Sequence, residues 1–166
     1  STALIQEAKA KGLKVTCSVA VHNLVLTDEK LEGFDTRYKV SPPLRTETDR
    51  QALLKGILDG TIDMITSDHN PIDIEHKKME FDGAKNGTIG LESAFGSLLT
   101  VLPLETVIEK LTIGKTTFGI ETNTVEVGQK ATLTLFNPEG ESIFAKENII
   151  SKSKNSAFLG NPMKGK

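Results

Sequence analysis

The residues best equipped for chemistry stand together at Ser67-Asp68-His69-Asn70-Pro71, directly after the short apolar run Ile62, Met64 and Ile65. A carboxylate there can touch a metal ion and accept a proton from metal-held water, so Asp68 is a candidate metal ligand and general base. A plainer use is at least as well supported by local pattern: Asp68 caps the following turn, and Asn70-Pro71 is ordinary turn chemistry. The three histidines, His22, His69 and His76, lack the i, i+4 spacing of a helix-borne zinc site, so a complete metal site within this chain is not expected. His76 lies among Glu75, Lys77 and Lys78 and reads as a solvated surface residue, while His22 reads equally well as packing in a loop. In Ser41-Pro42-Pro43-Leu44-Arg45, stiff backbone precedes a guanidinium able to pair with a substrate carboxylate, or to make a structural ion pair. Asn86-Gly87 would let backbone N–H groups approach a ligand, since glycine has no Cβ, but it also reads as a common turn.

The elements that must position these groups follow from periodicity. Leu4, Ile5 and Ala8 recur at helical spacing up to Gly12, a C-cap candidate, and Leu13 to Ala20 then reads as a strand. Val21 to Arg45, with Gly33 and Pro42-Pro43, reads as a long loop, a kind of segment that is usually functional or disordered. Thr46 with Asp49 three residues on opens a second helix, whose apolar face is Leu53, Leu54, Ile57 and Leu58 before Gly60. The run Ile62 to Ile65 is the next strand, and Asp68 sits at its end. Helix and strand alternation of this kind predicts parallel α/β architecture, in which the loops after the strands build the site. Leu91 to Leu102 and Leu104 to Leu111 read as helices broken at Pro103, with a further turn over Lys115 to Ile120. From Glu126 the alternating Ala131-Thr132-Leu133-Thr134-Leu135-Phe136 and the turn Asn137-Pro138-Glu139-Gly140 predict β structure, so a boundary is placed near Val125.

Composition narrows the class. In a chain of 166 residues, 37% hydrophobic residues are enough for a core of ordinary size. With 20 basic and 22 acidic residues there is no basic face for a phosphate backbone, so nucleic acid is not an expected partner. Cys17 is the single cysteine, which excludes an internal disulfide and a thiolate zinc cluster and suits a reducing, cytoplasmic setting. No apolar run approaches the roughly 20 residues of a membrane helix, so no membrane association is expected. Ser1 in place of an initiator Met suggests an excised piece.

No motif so far is specific alone, but their order and spacing are. Val19-Ala20-Val21-His22-Asn23-Leu24-Val25-Leu26-Thr27-Asp28-Glu29, YKVSPPLR from Tyr38 to Arg45, DGTID from Asp59 to Asp63, Ser67-Asp68-His69 and Ile89-Gly90-Leu91-Glu92 together resemble the dihydroorotases of the amidohydrolase superfamily. The resemblance implies the last part of a (β/α)8 TIM-type barrel in residues 1–125, holding its last two strands, and part of a small composite β-sandwich in residues 126–166. Two strands cannot close a barrel that takes about 250 residues, so most of it would lie outside this chain. The implied reaction is reversible hydrolysis of the cyclic amide dihydroorotate to carbamoyl-aspartate in pyrimidine biosynthesis, usually with one or two zinc ions. Asp68 matches the family's last-strand aspartate, which binds metal and shuttles the proton. The family's substrate contacts fall at Ser41, Ile72, Asn86 and Gly87, with departures: Ser41 stands for a usual Asn, Ile72 for a usual His, and Asn86 for a common aromatic. The metal-binding histidines are expected before Ser1, which leaves this stretch alone inactive. Homodimerisation and association with aspartate transcarbamoylase are the partnerships the resemblance suggests. Two alternatives stay open: a non-catalytic paralogue serving as a structural partner, and a hydantoinase- or allantoinase-type substrate, since Ile72 makes one contact apolar.

Overall fold

The computed structural model describes residues 2–122 and 124–165. Helix α1 (Thr2–Ala10) ends at Gly12, whose φ of 75° is open to glycine at no steric cost. An extended stretch leads into β1 (Ser18–Ala20), shorter than the eight-residue strand its apolar run predicts. The expected loop after it begins instead with a helix, α2 (Val21–Val25), and contains two short 3-10 turns at Asp28–Leu31 and Thr36–Tyr38. Val, His and Asn are weak helix formers, and burial overrides them, for Val21, His22 and Leu24 are all fully buried. Helix α3 (Glu47–Leu58) starts at Thr46, whose hydroxyl accepts the Asp49 N–H at 3.3 Å. Leu54 and Ile57 of its apolar face are buried as expected, but Leu58 is exposed.

The DGTID motif sets where β2 (Met64–Thr66) begins. Asp59 accepts the Thr61 N–H at 3.0 Å, Gly60 turns the chain at φ 79°, and Asp63 accepts the Cys17 N–H at 2.8 Å and the Lys9 ammonium at 2.7 Å. That pair of contacts fastens the start of β2 to α1 and to the segment feeding β1. The two strands then pair in parallel, Ser18 opposite Met64 and Ala20 opposite Thr66, which brings their C-terminal ends side by side.

Beyond the second strand end lie α4 (Ala94–Leu98), α5 (Leu104–Thr112) and α6 (Gly114–Thr117), with Pro103 as the residue before α5. The expected strand at 131–136 forms no regular element and enters no ladder among the described residues, and Leu133 and Leu135 of its alternating pattern are exposed. A β-pattern needs a partner strand to become a sheet. The antiparallel pair that does form joins β3 (Glu141–Ile143) to β4 (Pro162–Lys164). One core draws on both stretches of chain: Val21, Leu24, Ile57, Leu98 and Val107 meet Phe144, Ile149, Phe158 and Met163. Full burial of one such side chain contributes about 1.5–3 kcal/mol, so the packing of this core holds the strand ends in place. No helix among the described residues is long and apolar enough to cross a membrane.

Candidate active site

Asp68 follows β2 by two residues and adopts φ 46°, one of two non-glycine residues on the left-handed side among the described residues. Such backbone is costly for a residue with a Cβ and survives only where the surroundings hold it. They do so here through Ile89-Gly90-Leu91-Glu92. A Cβ on Gly90 would overlap the Ser67 carbonyl oxygen, so only glycine lets that turn close on the strand end. The Gly90 and Leu91 N–H groups both point at His69 Nδ1, each at 3.3 Å, which seats the imidazole next to Asp68. Glu92 continues the anchorage, accepting the Ser151 N–H at 2.8 Å. Among the described residues no hydrogen bond reaches the Asp68 carboxylate, so the turn-capping role has no bond to support it. Its side chain stays 39% exposed.

At the end of the neighbouring strand stands His22, fully buried, with Nε2 3.9 Å from Asp68 Oδ2 and 3.3 Å from the Pro42 carbonyl oxygen. Burial pushes its pKa below the ordinary 6.5, against the smaller raising effects of Asp68 and the Pro42 carbonyl. His22 is therefore neutral near pH 7, the form in which a ring nitrogen can donate a lone pair to a metal, and the contact with Asp68 is not an ion pair. Its Nδ1 is buried without a hydrogen-bond partner. Local pattern gives His22 equally well as loop packing; the available signal is its place two residues past the end of a strand, the same offset as that of Asp68.

The remaining predicted positions lie on the loop that follows α2 and on the irregular segments that follow β2. Ser41 is exposed on the loop whose Pro42 carbonyl faces His22, and Asn23 Nδ2 donates to the Pro43 carbonyl at 2.9 Å, fixing the same loop. Gly87, at φ 144°, is buried against Ile72 and Asn70, where a Cβ would come within 2.7 Å of Ile72 Cγ1. Asn86 is exposed beside it, with its carbonyl 3.5 Å from Asn70 Nδ2. Asn155 Nδ2 donates to the Gly87 carbonyl at 2.9 Å and Ser153 Oγ to the Ile72 carbonyl at 2.8 Å, contributions from late in the chain that no local pattern announces. Arg45 is exposed, and His76 is half-buried in a 3-10 turn at Ile74–His76. Its neighbour Lys77 is only 3% exposed, so the charged stretch around His76 is not solvated throughout.

As a metal holder the arrangement is a partial set. His22 and Asp68 offer one nitrogen and one carboxylate from adjacent strand ends, and no group of three or more such ligands occurs among the described residues. A catalytic zinc takes three protein ligands, so the two fit as part of a donor set, not as all of it.

Solved structures share the α/β frame that carries this carboxylate and imidazole. The chain aligns with the L-hydantoinase (dihydropyrimidinase) of Arthrobacter aurescens at a TM-score of 0.89 and 28% identity, covering 99% of this chain and 39% of that one. A dihydroorotase from Saccharomyces cerevisiae, solved with 5-fluoroorotic acid, matches at a TM-score of 0.74 and 17% identity over 99% of this chain and 48% of that one, a likeness of fold alone. No family model matches the chain. In sequence, the chain resembles the dihydroorotases. It is 40% identical to that of Geotalea daltonii over 99% of this chain and 40% of the relative, and 42% identical to that of Bacillus subtilis over 96% and 39%. The chain thus spans about two fifths of the length of these curated relatives.

Proposed function

We propose that the protein containing these residues is a zinc-dependent cyclic amidohydrolase that interconverts dihydroorotate and carbamoyl-aspartate in pyrimidine biosynthesis, and that this stretch alone is inactive. The observation that carries the reading is the pairing of Asp68, held in left-handed backbone at the end of β2, with neutral His22 at the end of β1, 3.9 Å away. The dihydroorotase likeness of the whole chain supports it. Residues 1–125 then supply the last two strands of a (β/α)8 barrel and residues 126–166 part of a β-sandwich, with the other metal ligands on strands outside this chain.

Zinc, when bound, polarises the amide carbonyl and makes water acidic enough to ionise near neutral pH. His22 and Asp68 would hold it. Asp68 accepts the proton of the attacking water and returns it to the departing amide nitrogen; its partial exposure leaves it open to both. The backbone at Gly87 and the Ser41 loop would line the ring, and Ile72 would offer it an apolar face. A non-catalytic paralogue would have no reason to maintain strained backbone at Asp68.

Ile72 packed on Gly87 favours one second reading, a hydantoin-type ring without a carboxylate, in keeping with the L-hydantoinase match. The test is turnover by the full-length protein, with zinc supplied, on dihydroorotate and on hydantoin. Preference for dihydroorotate in kcat/KM supports the first reading, and preference for hydantoin replaces it with the second. A parallel measurement of zinc content bears on His22: His22→Asn should lower tightly held zinc, and unchanged stoichiometry and affinity would remove His22 from the ligand set.

A further inference from the structure

Ser41, Ile72, Asn86 and Gly87 lie on irregular segments that no sheet holds, so something else must fix their spacing. Asn155 and Ser153 hold Gly87 and Ile72 from one side, and a single oxygen joins the Ser41 loop to the Gly87 turn. The Lys39 carbonyl, two residues before Ser41, accepts the Gly87 N–H at 3.0 Å and the Lys77 ammonium at 3.0 Å, which occupies both of its lone pairs. Lys77 also donates to the Thr36 carbonyl at 3.0 Å, and its own carbonyl accepts the Thr36 hydroxyl at 2.6 Å. Lys39 reaches back the other way, its ammonium on the Phe81 and Asp82 carbonyls at 2.6 and 2.7 Å and 5.3 Å from the Phe81 ring.

A lysine is rarely buried, because removing the ammonium from water is costly unless fixed acceptors replace the water. An apolar side chain would fill the same space without that cost but could not tie the two carbonyls. Burial pushes the Lys77 pKa down to about 8, helped by the nearby Lys39 charge and opposed by Asp35. Near neutral pH the group is thus still mainly charged and able to donate.

We propose that Lys77 is a positioning residue for the substrate pocket: through the Thr36 and Lys39 carbonyls it sets the distance between the loop carrying Ser41 and the turn carrying Asn86 and Gly87. This rests on the hydrolase reading above for what the pocket binds, though not for the tether itself.

The experiment uses the full-length protein and two readouts. Lys77→Met keeps the length of the stem and removes the donors. It should raise KM for the better of dihydroorotate and hydantoin about tenfold with kcat within about twofold of wild type, as expected when binding contacts are lost and the reacting groups are spared. Lys77→Arg, which restores a cationic donor, should recover part of that loss. Thr36→Val, which removes the hydroxyl bond to the Lys77 carbonyl and so loosens Lys77 while leaving both ammonium bonds possible, should move KM the same way by a smaller factor. Amide hydrogen exchange should quicken at residues 36–41 and 86–88 in both weakened variants and stay at wild-type rates in β1, β2 and α3. A folded Lys77→Met variant with unchanged KM and exchange overturns the proposal, as does a loss of kcat with faster exchange throughout. If Lys77→Met does not fold, Thr36→Val decides by the same two criteria. A wild-type protein that turns over neither substrate counts against the hydrolase reading alone, and the exchange pattern then decides the tether.

Discussion

Gly90→Ala isolates the device that holds Asp68 in place. Gly90 is not in left-handed backbone, so the effect is purely one of space: the added methyl must occupy the position of the Ser67 carbonyl oxygen. A backbone carbonyl in a strand end cannot swing aside as a side-chain tip can, so the turn at 89–91 must withdraw. That withdrawal takes both the Gly90 and Leu91 N–H groups away from His69 Nδ1, where they now stand at 3.3 Å. Two neutral hydrogen bonds are worth about 1 kcal/mol each, and forcing a packed contact apart adds about 1–3 kcal/mol, for a total of about 3–5 kcal/mol. Urea unfolding of the full-length protein should show the lower midpoint with the slope unchanged. Asp68, released from φ 46°, should relax toward ordinary backbone and draw its carboxylate from His22, so turnover should fall by more than about tenfold even where the variant is folded. An alanine variant within about 0.5 kcal/mol of wild type, with full turnover, would refute the claim that this turn holds the strand end.

Two further outcomes follow from the same contacts. Ile72→His combined with Ser41→Asn should raise kcat/KM for dihydroorotate by about ten- to a hundredfold if a hydrogen bond to the substrate carboxylate is what Ile72 lacks; no gain, with better activity on a ring without a carboxylate, favours the hydantoin-type reading. Asp63→Asn should destabilise by about 1.5–3 kcal/mol at pH 7, because burial raises the Asp63 pKa but the Lys9 and Cys17 hydrogen bonds outweigh it and hold it below the ordinary 3.8. A depressed carboxylate stabilises above its unfolded pKa and loses that contribution as pH falls through the folded value, so the gap between wild type and Asn should close below pH 3.8 in urea midpoints measured from pH 7 to 3. A gap that stays constant down to pH 3 would mean the Asp63 contacts carry no charge-dependent energy.

What was legible in the sequence was what local chemistry decides. Thr46 with Asp49 marks the start of α3, and the run before Ser67 marks β2, which puts Asp68 just beyond a strand end. What stayed hidden depends on distant chain. The helix Val21–Val25 forms because the core buries Val21 and Leu24, not because its residues favour helix. Lys77 sits in a run of charges that any pattern reading leaves in water, and only the Thr36 and Lys39 carbonyls, some 40 residues earlier in the chain, draw it inward. His22 gains its meaning only when β1 pairs in parallel with β2 and sets the imidazole beside Asp68. At 131–136 the opposite holds: the alternation is present, but no strand pairs with it among the described residues.

If Asp68 moves a proton at a metal-dependent hydrolytic site, steady-state turnover by Asp68→Asn in the full-length, zinc-supplied protein, with the unfolding midpoint of the same sample, reads that role. The amide keeps the shape of the carboxylate but cannot accept the proton. The expected result is a fall in kcat of at least about a hundredfold, the scale of general-base catalysis, while unfolding stays cooperative. A folded Asn variant with near-normal kcat would contradict it and leave Asp68 a turn residue.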